Sequence, residues 1–367
     1  MSNQHCLPVQ SSASASARGP LRIEPPRTIG GRLISALGML AIVGIISFAG
    51  ATDSDSNDMM RGKLVDIGGR HLRLVCEGPK DAAGPTVLFE SGAFGFSGDW
   101  AYSQGELTAK GIRSCAYDRA GMGLSDVSTE PRDGINVARD LELLLAKAHV
   151  PAPYIVVGHS MAGARVHLFA NRNADKIAGL VLVDSTTPDA MSDPEVAKYV
   201  ADFTGETHMA AMTAQFGILK LLANTPLGDK VGLPPEQDAE KRAQFASASY
   251  NKNAYLEVKN WPLAARQAAA TGPLNTNWPV AVVSAGVFDT GEGPQMQALQ
   301  PPPALASRHG HVEVVAGATH NGLLGKTYAP AIVRGIEFVL QAAKEAPIAP
   351  DRMMAKARAG KLTFASR

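Results

Sequence analysis

Tyr154-Ile155-Val156-Val157-Gly158-His159-Ser160-Met161-Ala162-Gly163 is the stretch on which the reading of this chain turns. Four β-prone apolar residues lead through Gly158-His159 into a serine, and a helical pattern over 162–172 begins at once. A serine on a sharp strand-to-helix turn exposes its Oγ but holds a strained backbone, so the residues two before and two after it must be small. Gly158 and Ala162 meet that demand, although alanine replaces the second glycine of the usual pentapeptide. The start of the helix adds free N–H groups and the positive end of its dipole beside the hydroxyl. An ordinary turn is the other reading of the pentapeptide alone. The strand before it and the helix after it favour Ser160 as a catalytic nucleophile.

Outward from that turn, apolar β-type runs lie at 72–76, 86–89, 114–117, 154–157, 179–183, 280–284 and 312–315. Most are continuous rather than alternating, as in strands of a parallel sheet covered on both faces. Helical spacing separates them at 133–149, 162–172 and 329–345, so the fold class is α/β with an open sheet. The alternation stops between 187 and 277. That segment is rich in Ala and Met, holds no clear strand, and is broken by Pro194, Pro226, Pro234, Pro235 and Pro262. It reads as an inserted helical cap. The expected division is a core at 61–186 and 278–345, the cap at 187–277, and a C-terminal tail at 346–367. An N-terminal targeting segment occupies 1–60.

In that segment Arg18, Arg22, Arg27 and Arg32 precede an uncharged apolar run at 33–51. Small residues and an acidic linker follow, the pattern of an export signal. The run is near the roughly 20 residues that span a bilayer, and arginines before it would stay cytoplasmic. The expectation is an exported catalytic domain, either secreted or membrane-anchored through residues 33–51. The 367 residues carry a formal net charge of +1, which signals neither nucleic acid nor a strongly acidic partner. The basic tail reads as a solvated end. Three cysteines are too few for a disulfide scaffold and lack metal-ligand spacing.

Three further motifs carry chemistry. Phe89-Glu90-Ser91-Gly92-Ala93-Phe94-Gly95 follows a strand, and its glycines allow close backbone approach. Acyl transfer needs two N–H donors at the developing oxyanion, one after the nucleophile and one from an earlier loop. Met161 is the candidate for the first, and Ala93, with Phe94 as the alternative, for the second. Among nine histidines, His320 has the strand-end setting expected of the base that activates a serine. The acid that orients it is Asp289, after the strand at 280–284, in the chain order Ser160, Asp289, His320. Asp184, at the end of the strand after the nucleophile helix, is the alternative.

Together these motifs resemble the α/β-hydrolase superfamily over residues 63–345. Tyr117-Asp118-Arg119-Ala120-Gly121-Met122-Gly123-Leu124-Ser125-Asp126 looks like its loop after the fourth strand, and Gly179-Leu180-Val181-Leu182-Val183-Asp184 like the strand after the nucleophile helix. The resemblance implies a mostly parallel eight-stranded sheet with the cap as a lid, and structural roles for Asp118 and Arg119. Ser160 stands where epoxide hydrolases and haloalkane dehalogenases of the superfamily carry an aspartate. Ser91 departs from the histidine that many relatives place before the oxyanion glycine. The family's strand order would also set Cys76 opposite Cys115, either as a disulfide or as two buried thiols. The function implied is a serine hydrolase, esterase-like, needing no metal or organic cofactor and acting on a small-molecule substrate with an apolar acyl group. Aminopeptidase, lactonase, carbon–carbon hydrolase or haloperoxidase-like chemistry, and a non-catalytic ligand-binding member, are the alternatives.

Overall fold

In a computed structural model, which describes residues 61–288 and 294–345, the apolar runs become one eight-stranded sheet. Its strands are β1 (Lys63–Asp66), β2 (His71–Glu77), β3 (Thr86–Glu90), β4 (Ser114–Tyr117), β5 (Tyr154–His159), β6 (Ile177–Val183), β7 (Val280–Ala285) and β8 (Gly310–Val315). The spatial order is β1-β2-β4-β3-β5-β6-β7-β8. Only β2 runs against its neighbours, and from β4 to β8 all pairing is parallel.

The continuous apolar runs follow from helices on both faces. The helices are α1 (Ala101–Ala109), α2 (Gly134–Lys147), α3 (Ala162–Arg172), α4 (Pro194–Gln215), α5 (Ile218–Leu222), α6 (Pro235–Phe245), α7 (Ala248–Lys259), α8 (Trp261–Ala269), α9 (Pro294–Ala298), α10 (Pro302–Ala306) and α11 (Ala329–Glu345). Successive strand residues point to opposite faces. Val156, Leu180, Leu182 and Val282 pack with Leu144 of α2, Phe169 of α3 and Ala268 of α8. Ile155, Val157, Val181 and Val283 pack with Leu107 of α1 and Ile332 and Ile336 of α11.

Two strands differ from the pattern. β1 has a single buried residue, Val65, so four residues carried no readable signal. β8 is an edge strand with Val312 and Val314 exposed, and alternates where a continuous buried run was expected.

Between β6 and β7 the described chain is helical, as the sequence indicates, but α4 is 22 residues long rather than short. Pro194, read as a break, instead opens α4 behind the capping carboxylate of Asp193. A proline at the first helical turn lacks only an N–H that would be unpaired anyway. Pro235 and Pro262 likewise stand in the first turns of α6 and α8. No described helix is long and apolar enough to cross a membrane. The run at 33–51 and the tail at 346–367 lie outside the described residues.

Cys76 and Cys115 are register partners across β2 and β4 and form a disulfide, with Cα atoms 4.0 Å apart. It closes a sequence span of 39 residues, which in the chain-entropy picture stabilises by about 4 kcal/mol. The double substitution Cys76→Ser/Cys115→Ser is expected to lower the thermal midpoint by roughly 10 °C in calorimetry.

Candidate active site

β5 ends at His159 and α3 begins at Ala162, so Ser160 occupies the turn between them with φ of 59°. That conformation is costly for a residue with a side chain, and its surroundings hold it. Ser160 N donates to the Val183 carbonyl at 3.1 Å, and the Ser160 carbonyl accepts from Gly163 N at 3.2 Å and Thr186 N at 3.3 Å. The departure at Ala162 has a simple account. Its methyl is accommodated 3.4 Å from where a Cβ on Gly158 would lie. The strict demand for glycine falls one residue later, because a Cβ on Gly163 would sit 2.1 Å from the Thr186 carbonyl oxygen.

His320 follows β8 through a short loop and is buried beside the turn. His159 bridges the two elements: its ring lies 4.4 Å from that of His320, and its Nε2 donates to the His320 carbonyl at 3.1 Å. His320 Nδ1 lies 2.7 Å from Asp184 Oδ2. Donation from Nδ1 to the carboxylate leaves Nε2 as the ring's proton acceptor. The other Asp184 oxygen accepts from Ala285 N and Gln300 Nε2, both at 3.0 Å. Burial works to raise the Asp184 carboxyl, but the bond and positive field of His320, with these two donors, outweigh it and hold it below the usual carboxylate value. Asp184 is thus a carboxylate that the described structure brings to His320. Asp289, favoured on chain order, lies outside the described residues.

Both oxyanion candidates are at hand. Met161 is the buried N-cap of α3, where backbone N–H groups have no partner within the helix. Ala93 sits in a loop pressed against the turn, since a Cβ on Gly92 would lie 2.9 Å from Ser160 Cβ. Met161 and Ala93 share one apolar cluster. Ser91 closes this loop locally: its Oγ donates to the Phe96 carbonyl at 3.1 Å and accepts from Trp100 Nε1 at 2.9 Å. Asp118 has the structural role the resemblance implies, accepting from Arg73 Nε at 2.6 Å, Ser97 N at 2.8 Å and Leu124 N at 2.9 Å.

Sequence reading passed over a set of buried ions behind the loop: Glu90, Arg165, Arg132 and, from the cap, Glu257. Glu90 had a cue, as a charge closing an otherwise apolar strand. Glu257, on a polar stretch of α7, had none. Among the described residues no group of His, Cys, Asp and Glu could hold a metal ion.

The fold and this turn define an α/β-hydrolase architecture. The model of the alpha/beta hydrolase family matches residues 87–331, and the chain belongs to that family. Among curated proteins, YqjL of Bacillus subtilis (strain 168) is 35% identical over 114 residues, 31% of this chain and 44% of YqjL. A probable transporter, efuK, of Hormonema carpetanum is 35% identical over 129 residues, 34% of this chain and 18% of that protein. The chain therefore spans less than half the length of these relatives. Solved structures with the same fold include the haloalkane dehalogenase DbeA from Bradyrhizobium elkani USDA94, with TM-score 0.60 and 19% identity over 78% of this chain and 99% of that one. A Vigna radiata epoxide hydrolase mutant has TM-score 0.58 and 16% identity over 75% and 98% of the two chains.

Two outcomes follow from this geometry. Gly163→Ala is expected to lose soluble folded protein or to displace the turn, because the obstructing atom is backbone; circular dichroism and expression yield check it. Burial first, then the charge of His320, holds His159 well below the ordinary 6.5. The unfolded chain therefore takes up a proton that the folded chain refuses, so stability is full above pH 6.5 and declines as pH falls toward the folded value. Urea midpoints of His159→Gln should fall less steeply below pH 6.5 than those of the wild type.

Proposed function

We propose that this α/β-hydrolase is a serine hydrolase that cleaves a carboxylic ester or a similar acyl bond. The observation that carries the reading is the strained Ser160 turn standing beside a His320 whose Nδ1 is engaged by Asp184. In this mechanism Ser160 Oγ attacks the substrate carbonyl while His320 Nε2 takes its proton. Asp184 fixes the imidazole tautomer and stabilises the imidazolium. The N–H groups of Ala93 and Met161 receive the oxyanion. His320 then protonates the leaving alcohol, and water, deprotonated by the same imidazole, releases the acyl group.

Support for an apolar acyl group comes from the apolar packing between turn and cap. Met161, Val196, Val200, Trp261 and Met296 form one buried cluster, with Tyr199 and Phe203 packed against it. Export of the domain is part of the same proposal. The Cys76–Cys115 disulfide suits an oxidising compartment, and the arginine-flanked run at 33–51 supplies a signal or tether.

A fluorophosphonate probe is expected to label Ser160, mapped by mass spectrometry, and Ser160→Ala is expected to abolish both labelling and hydrolysis of short p-nitrophenyl esters. A Ser160→Ala protein as active as wild type would sink the assignment. Asp184→Asn should lower kcat by about 10³- to 10⁴-fold, with Asp289→Asn far less affected. The reverse ranking would move the acid to Asp289.

A further inference from the structure

The cap reaches the oxyanion loop through buried charge. Arg119 and Glu257 are both almost fully buried. Arg119 Nε lies 2.8 Å from Glu257 Oε1 and its Nη2 2.8 Å from Glu257 Oε2, a side-on pair. The same guanidinium donates to the Ser91 carbonyl at 2.8 Å and the Gly92 carbonyl at 2.9 Å. Arg165 adds a second bond to the Ser91 carbonyl at 2.6 Å. Further along, the Phe94 carbonyl accepts from Lys241 Nζ of α6 at 2.8 Å and from the Tyr250 hydroxyl of α7. Three of the four carbonyls from Ser91 to Phe94 are therefore held by side chains, and most of those side chains are cationic.

In a trans peptide the N–H points opposite the preceding C=O. Fixing the Gly92 carbonyl on Arg119 therefore fixes the direction of the Ala93 N–H, and a hydrogen-bonded carbonyl polarises the amide that shares its plane. Glu257 is what keeps Arg119 available for this. Arg119, Arg132 and Arg165 lie together with Glu90 and Glu257 as their buried acids, and without Glu257 Arg119 would be left with Glu90, which Arg165 already engages.

We propose that Glu257, on the cap helix α7, is a positioning residue for the oxyanion donor: it holds Arg119, which holds the Ser91 and Gly92 carbonyls and so aims the Ala93 N–H at the reacting carbonyl. This rests on the serine-hydrolase reading above. It makes the cap part of the catalytic scaffold as well as a cover.

The test compares full-length wild type, Glu257→Gln and Glu257→Asp on p-nitrophenyl butyrate and its thionoester, with amide hydrogen exchange over residues 91–95. Glu257→Gln should lower kcat for the ester by about 10- to 100-fold with KM within about twofold. The ester-to-thionoester rate ratio should shrink, because sulfur makes poor use of the donors. Exchange in the loop should quicken. Glu257→Asp, which keeps the charge but shortens its reach to Arg119, should show a smaller fall of the same kind, and it carries the test if Glu257→Gln does not fold. Wild-type kcat and unchanged exchange in the folded variants would overturn the proposal, as would equal falls for ester and thionoester. A wild type that neither labels at Ser160 nor hydrolyses esters would instead overturn the serine-hydrolase reading. The exchange comparison would still decide whether Glu257 holds the loop.

Discussion

The structure depends on a strained turn. Ser160 holds a left-handed backbone at the end of a central strand, and the cost of that conformation, of order 1–3 kcal/mol, is met by everything packed around it. β6 supplies the Val183 carbonyl that anchors its N–H, the segment after β6 supplies the Thr186 N–H, and Gly163 lets α3 approach closely enough to complete the turn. Asp184, one residue beyond the end of β6, also has positive φ, 43°. Two strained residues thus close two adjacent parallel strands, and their side chains meet the same histidine neighbourhood. Strand ends in an open parallel sheet are where such residues converge, because all the strands deliver their C-termini to one edge.

Behind that edge the chain buries a cluster of charged side chains. Burying an ion pair is often no better for stability than burying an apolar group of the same size. Arg119, Arg165, Glu90 and Glu257 nevertheless sit together in the interior. Glu257 stays ionised: burial alone would raise its carboxyl, but Arg119, Arg132 and Arg165 hold it down to about 2. What the network secures is direction. Guanidinium groups are planar and donate at fixed angles, so the loop at 91–95 is held by its carbonyls and presents its remaining faces in one orientation. The cap is joined to the core here, through α6 and α7, with Lys241, Tyr250 and Glu257 as the contacts.

Likeness in fold to a haloalkane dehalogenase and an epoxide hydrolase places the chain in an architecture that hosts several chemistries. Fold does not choose among them. The choice rests on the residue at the turn, which here is a serine, and on the partners that surround it.

Much of this was legible in the residues. Continuous apolar runs separated by helical spacing forecast a covered parallel sheet, because burial on both faces leaves no polar alternation. Small residues around Ser160 forecast the turn, because only they fit it. His320 was legible as a strand-end histidine. The pairing of Asp184 with His320 was not decided by chain order, since carboxylates after two different strands were both candidates, and it is the sheet's order that brings Asp184 to the ring. Glu257 was not legible at all. Its importance comes from packing 138 residues away in sequence from Arg119, and a charge on a helix looks the same to local patterning whether solvent or a buried guanidinium faces it. Local sequence determined the elements and the turn, because strand and helix periodicity and steric room act over a few residues. Tertiary structure alone decided which charges meet, because burial and distance in space set the strength of an ion pair.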